Sequence, residues 1–161
     1  FGSETSGGIR HVLVENCYAG PHCEEVVRFK TRMGRGGVVE DIVYDGIEAD
    51  GVRQVFSFNM DAFSTMWLPE EFRTPVPTKA GTPVFRDITV RNLTAKNCGS
   101  PGRIIGLAES PIRNLKLENV TIQSQGHELA VKNTVGFQCD RVTVNGKLLP
   151  ETENPLMGAS R

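Results

Sequence analysis

The sequence predicts an all-β fold, a solenoid of parallel strands wound as a β-helix, and three observations predict it. One pattern recurs: IRHVLVENC (9–17), VEDIVYDGI (39–47), FRDITVRNL (85–93), IRNLKLENV (112–120) and QCDRVTVNG (138–146) each read polar pair, apolar, any, apolar, any, Asn or Gly. Within each copy apolar and polar residues alternate at period two, as in Ile88-Thr89-Val90, which buries one face of a strand and wets the other. No segment carries a sustained 3.6-residue apolar stripe with caps at both ends. Sandwich strands have no reason to repeat in sequence, so the recurring motif decides for the solenoid.

The elements follow in chain order. Aligning Val12, Ile42, Ile88, Leu115 and Val142 places Asn16, Gly46, Asn92, Asn119 and Gly146 in one column, at intervals of 30, 46, 27 and 27 residues. Asn and Gly tolerate the left-handed backbone of a sharp bend, and stacked Asn amides can hydrogen-bond from one turn to the next. Further strands are expected between the copies, at Val26–Thr31, Gln54–Asn59, Arg103–Leu107 and Leu129–Asn133. The surplus of the 46-residue interval falls in residues 60–82, which hold Pro69, Pro75, Pro77 and the one Trp, Trp67. A projecting loop is expected there, either at the functional face or as a tolerated surface excursion. Phe63 and Trp67 in it could stack on a bound ligand or clasp the solenoid side, while Asp61, Glu70 and Glu71 read as solvated charges.

Composition narrows the function. The 161 residues are 39% hydrophobic and suit one core, and 18 basic against 19 acidic residues leave a net charge of −1. A surface built throughout for nucleic acid or an anionic membrane is therefore not expected. No run approaches the ~18 apolar residues of a membrane span. Cys17, Cys23, Cys98 and Cys139 fit neither a CxxC zinc site nor a dense disulfide framework; they read as small buried hydrophobes, with a Cys17–Cys23 bridge as the alternative. His11, His22 and His127 fall in turn or polar-pair positions and read as surface residues. No metal or cofactor is implied.

Against this balance, RFKTRMGRGG (28–37) concentrates four cations and three glycines in ten residues. In a strand, alternation sets Arg28 and Lys30 opposite Phe29, with Cα atoms ~6.6 Å apart. Two cations that close repel each other in an empty site, and an anion would relieve them. A guanidinium fork takes a carboxylate in two parallel hydrogen bonds, and an ammonium adds a point charge beside it. Gly34, Gly36 and Gly37 would permit a tight turn and close approach of a ligand. Rival readings are a nucleotide phosphate loop, for which the GxxxxGK[ST] frame is missing, and single-stranded nucleic acid, for which interleaved aromatics are missing. A third is a solvated face balanced by Glu24, Glu25, Glu40 and Asp41.

RFKTRMGRGGVVEDI also resembles the R-I-K-[ST] and GRGG motif of glycoside hydrolase family 28, the polygalacturonases. FGSETSGGIRHVLVENC upstream, and TPVFRDITVRNLTAKN and ESPIRNLKLENVTI downstream, are similar to that family's neighbouring turns, so the resemblance covers essentially the whole chain. It implies a right-handed parallel β-helix of the pectin-lyase-like kind. It also implies inverting hydrolysis of α-1,4 galacturonosyl bonds, with Arg28 and Lys30 gripping the sugar on the leaving-group side. Arg35 in the GRGG turn, and Glu4 close to where the family's catalytic histidine would lie, join them as candidate substrate contacts. Phe29 replaces the usual Ile and keeps an inward apolar role.

The family's acid and base come from N-T-D and D-D motifs with a G-H-G histidine, and residues 1–161 contain none of these. The expectation is therefore the C-terminal part of a single β-helix domain, incomplete on its N-terminal side, with no catalytic residue of its own. Alone it should be inactive and aggregation-prone, because a cut solenoid exposes stacking surface and strand edges. The complete protein is expected to be a monomeric, extracellular or periplasmic glycosidase that takes pectin or oligogalacturonide, and no nucleic acid or membrane. The alternative is a non-catalytic β-helix binding acidic polysaccharide. A pectate lyase would need a calcium cluster of acidic residues, and no such set is evident.

Overall fold

The structure, a computed structural model, describes residues 1–2, 5–60 and 80–150. Among these there are eleven strands and no helix: β1 (Ile9–Ala19), β2 (Glu25–Lys30), β3 (Val38–Asp50), β4 (Gln54–Asn59), β5 (Val84–Cys98), β6 (Ser100–Ile105), β7 (Ile112–Ser124), β8 (Ala130–Lys132), β9 (Thr134–Val135), β10 (Gln138–Val144) and β11 (Lys147–Leu148). Alternate strands stack into two sheets. Sheet A runs β1-β3-β5-β7-β10-β11, with β9 also on β7, and sheet B runs β2-β4-β6-β8. Every pairing is parallel except the closing β10–β11 hairpin. The fold is a parallel β-helix.

The aligned columns hold through four copies, since Val12, Ile42, Ile88 and Leu115 are register neighbours. The strands are longer than the motif suggests, at 11, 13, 15 and 13 residues. Each is bent at two shared positions by a single residue of positive φ, and β5 has a third such residue, Asn97, near its end. One column holds His11, Asp41, Asp87, Asn114 and Gly136, and the other Asn16, Gly46, Asn92, Asn119 and Arg141. At each bend the buried residues step by three instead of two, as from Phe85 to Ile88 and from Val90 to Leu93. The extra residue lets the chain turn a corner and keep the same face inward. The recurring polar pair, such as Arg86-Asp87, is therefore an outward residue followed by the bend residue.

The fifth copy departs from the expected alignment. Val142 pairs with Val120 instead of sharing the Leu115 position. Arg141, φ 50°, thus takes the place expected for Gly146, which sits in the turn between β10 and β11. The reason lies in the repeat: both bends are followed by an apolar-any-apolar run, so Val142-Thr143-Val144 matches either half of the unit.

Side chains at the bends bind across the rungs. Asn119 donates its amide to Asn92 Oδ1 at 2.8 Å, Asn92 donates to Asp45 at 2.7 Å, and Asn114 donates to Asp87 at 2.8 Å. Inside, columns such as Tyr44-Val90-Leu117-Cys139 stack, and Phe29 lies 4.5 Å from Phe58, nearly parallel, and 5.7 Å from Phe85 across the core. Burial raises the Tyr44 hydroxyl to about 12 and the Cys139 thiol to about 11. Cys98 and Cys139 are buried as expected; Cys17, on β1 at the outer end of sheet A, and Cys23, in the turn before β2, are exposed and unbridged, against both readings offered for them.

Candidate functional site

Strand β2 forms because Val27 and Phe29 enter the core, both fully buried, while Arg28 stands exposed and Lys30 half-buried on the other face. Both flanks of β2 fix its backbone. The Phe1 amino group donates to the Arg28 carbonyl at 2.8 Å and Lys30 N–H donates to the Phe1 carbonyl at 2.9 Å. On the other side β4 pairs in parallel, and the Phe1 ring packs 4.9 Å from Phe29. Two cations on one stretch of strand are thus held by an aromatic spine beneath them.

What lies opposite them is informative. Arg28 is in register with Ser57, then Arg103, then Ala130; Lys30 with Asn59, then Ile105, then Lys132. Neither row contains an acid. In sheet A the corresponding rows mix signs: Arg10, Glu40, Arg86 and Arg113 in one, Glu15, Asp45, Arg91, Glu118 and Asp140 in another. Opposite charges directly across strands stabilise a sheet, and sheet A uses that device where sheet B omits it.

One carboxylate does reach Arg28. Glu25 Oε2 lies 3.4 Å from Arg28 Nη1, and Glu25 Oε1 accepts from Arg53 Nη2 at 3.2 Å, Gln54 Nε2 at 3.3 Å and the Ser57 hydroxyl at 3.3 Å. With 11% of its side chain exposed, Glu25 anchors one edge of the guanidinium, whose side chain remains 48% exposed. An Arg carries five donors, so the pair leaves a fork for a second anion. Glu24, Glu40 and Asp41 do not balance Arg28 or Lys30, since they engage Arg53, Arg10 with Arg86, and His11. Among the described residues Lys30 has no ion-pair partner.

Of the other sequence candidates for substrate contact, Arg35 alone is among the described residues, and it falls apart from this pair. Arg35 is half-buried in the turn after β2, its N–H donating to the Arg32 carbonyl at 3.2 Å, and no register relation ties it to the sheet B face. Glu4 lies outside the described residues, as do Asp61, Phe63, Trp67, Glu70 and Glu71. The glycines form the expected tight turn, which packs against the protein's own backbone. Gly34 and Gly36 N–H groups donate to the Gly81 carbonyl at 2.8 and 2.9 Å, and a Cβ on Gly36 would run into the Ala80 carbonyl oxygen. Thr31 follows the cations with 1% exposure, its hydroxyl without a hydrogen-bond partner among the described residues. His11, His22 and His127 are exposed. No group of three His, Cys, Asp or Glu among the described residues could hold a metal.

A shallow groove of about 370 Å³ lies on sheet A between Asp41, Asp87, Asn114, Lys116 and Gln138. Its acids, Asp41 and Asp87, are engaged by His11 and Asn114. Of the four acids expected to balance the cations, Glu25 alone reaches Arg28; sequence reasoning missed the register rows beyond Lys30, which become visible when the later strands are aligned under β2.

A probable polygalacturonase from Vitis vinifera is 29% identical to this chain over 145 residues. The chain is polygalacturonase-like. The match covers 88% of the chain and 26% of the relative, so this polygalacturonase-like chain spans about a quarter of that protein's length. No family profile matches it, and no solved structure matches it. No helix among the described residues is long and apolar enough to cross a membrane.

Proposed function

We propose that this polygalacturonase-like chain is the substrate-gripping portion of a secreted glycoside hydrolase that cleaves galacturonosyl bonds in pectic polysaccharide. The observation that carries the reading is the sheet B face: Arg28 and Lys30 side by side, opposite neutral Ser57 and Asn59, with no acid in either row. Arg28, steadied by Glu25, offers its remaining N–H groups to a uronate carboxylate, and Lys30 adds its charge from the adjacent outward position. Holding the sugar next to the scissile bond converts binding energy into orientation.

Inverting hydrolysis needs a protonated carboxyl at the leaving oxygen and a carboxylate that activates water, ~6.5–9.5 Å apart. Residues 1–161 lack the N-T-D, D-D and G-H-G motifs for these roles, so this reading draws the acid and base from elsewhere in a longer polypeptide. The contribution of Arg28 and Lys30 is to bind and orient; neither moves a proton.

The test is equilibrium binding of digalacturonate and of its methyl ester. Tight binding of the acid, lost in the ester and in Arg28→Gln/Lys30→Gln, is the expected result. Equal binding of acid and ester would overturn the reading. Reducing-sugar release by the whole polypeptide that survives chelation would separate hydrolysis from calcium-dependent elimination.

A further inference from the structure

The cations of sheet B do not stop at β2. Arg103 occupies the Arg28 row two strands on, and Lys132 the Lys30 row three strands on. Both are exposed, and neither has an ion-pair partner among the described residues. Strands ~4.8 Å apart and residues ~3.3 Å apart along a strand place Arg103 ~10 Å from Arg28, and Lys132 ~8 Å from Arg103 on the same face. Between the two cationic positions of the Arg28 row lies Ser57, buried and neutral, and between those of the Lys30 row lie Asn59 and the half-buried Ile105.

Four cations in two rows that hold no acid, with the largely buried Glu25 carboxylate reaching only Arg28 among them, suit a ligand whose negative charges repeat along its own length. A single small anion would use one end only. We propose that Arg103 and Lys132 form a second grip, which holds a later carboxylate of an acidic polysaccharide lying along the outer face of sheet B. This rests on the function proposed for Arg28 and Lys30, and it adds the direction of the chain and the residues that select for length. The second grip binds and positions; it does not touch the reacting bond.

Isothermal titration of the protein with digalacturonate and with hexagalacturonate tests it. In Arg103→Gln/Lys132→Gln, digalacturonate affinity should be unchanged and hexagalacturonate affinity should fall by about tenfold or more, the scale of lost charge-assisted hydrogen bonds. The dependence of hexagalacturonate affinity on salt should weaken in parallel. Arg113→Gln/Lys96→Gln removes the same charge from sheet A and should change neither affinity. Hexagalacturonate affinity unaltered in Arg103→Gln/Lys132→Gln, or an equal loss in the sheet A variant, would overturn the second grip. A hexamer that depends on Arg103 and Lys132 yet ignores Arg28→Gln/Lys30→Gln would contradict the proposed function and leave the second grip standing. Unchanged far-UV circular dichroism confirms that each variant folds.

Discussion

Sheets A and B are alike on their inward faces and opposed on their outward ones. Inside, both contribute continuous apolar columns to one core. Outside, sheet A pairs many of its charges, though not Arg113 or Lys96 among the described residues: Arg86 Nε donates to Glu40 at 2.7 Å, Arg91 to Asp45 at 2.8 Å, and Lys116 sits 3.0 Å from Glu118. Sheet B leaves Lys30, Arg103 and Lys132 unanswered among the described residues. Sheet A spends its surface on holding the solenoid together. Sheet B keeps its surface available, and the inward spine of Phe29 and Phe58 supplies the stability that its outward face does not.

If that division holds, the largest effect lies in the shared core. Phe29→Ala should destabilise the protein by about 3–5 kcal/mol, as large aromatic truncations do, read from denaturant unfolding. Arg28→Gln/Lys30→Gln should instead leave stability within about 0.5 kcal/mol and weaken acidic oligosaccharide binding by tenfold or more. A stability loss comparable to that of Phe29→Ala would erase the distinction between the faces.

Smaller effects probe the bends of sheet A. Asn92→Ala breaks the amide chain between Asp45 and Asn119 and puts Ala at φ 53°. A loss of about 2 kcal/mol follows from one hydrogen bond and a left-handed backbone cost together. Arg141→Asn should work in the opposite direction, since Arg141 holds φ 50° where its counterpart in the next strand is Asn119. A gain of up to about 1 kcal/mol is expected, measured as a raised Tm. Thr31→Val removes a buried hydroxyl that lacks a partner among the described residues and should stabilise by up to about 1 kcal/mol; destabilisation would mean that the hydroxyl has a structural role.

Acid should reach sheet A through two groups. Hydrogen bonds from Arg86 and Arg10 hold Glu40 below its ordinary value of 4.5, and those from Asn92 and Arg91 hold Asp45 below 3.8. A depressed folded value means that the unfolded chain takes up protons first. The stabilisation is therefore complete above the ordinary values and lost as pH falls through the lowered ones. Tm should drop on that side, and Glu40→Gln should make the drop shallower.

Much of this division was legible before the structure. The repeat gave the solenoid because apolar columns must stack, and alternation in RFK put the cations opposite Phe29 for the same reason. The second bend column was not legible: His11, Asp41 and Asp87 look like ordinary surface polarity until the three-residue step in burial shows that they turn the chain. Glycine in GRGG was legible as a tight turn, but its partner across the turn, Gly81, was not, because a residue without Cβ does not say which backbone it admits. Register misled at Val142, where the two halves of the unit have the same apolar rhythm.

The most direct measurement is a double-mutant cycle between the protein's cations and the ligand's carboxylates. Digalacturonate and its methyl ester are each titrated into the native protein and into Arg28→Gln/Lys30→Gln. The account predicts that the substitution costs tenfold or more with the acid and almost nothing with the ester. An equal cost with both ligands would contradict it, because the cations would then be shaping the strand and not binding the uronate.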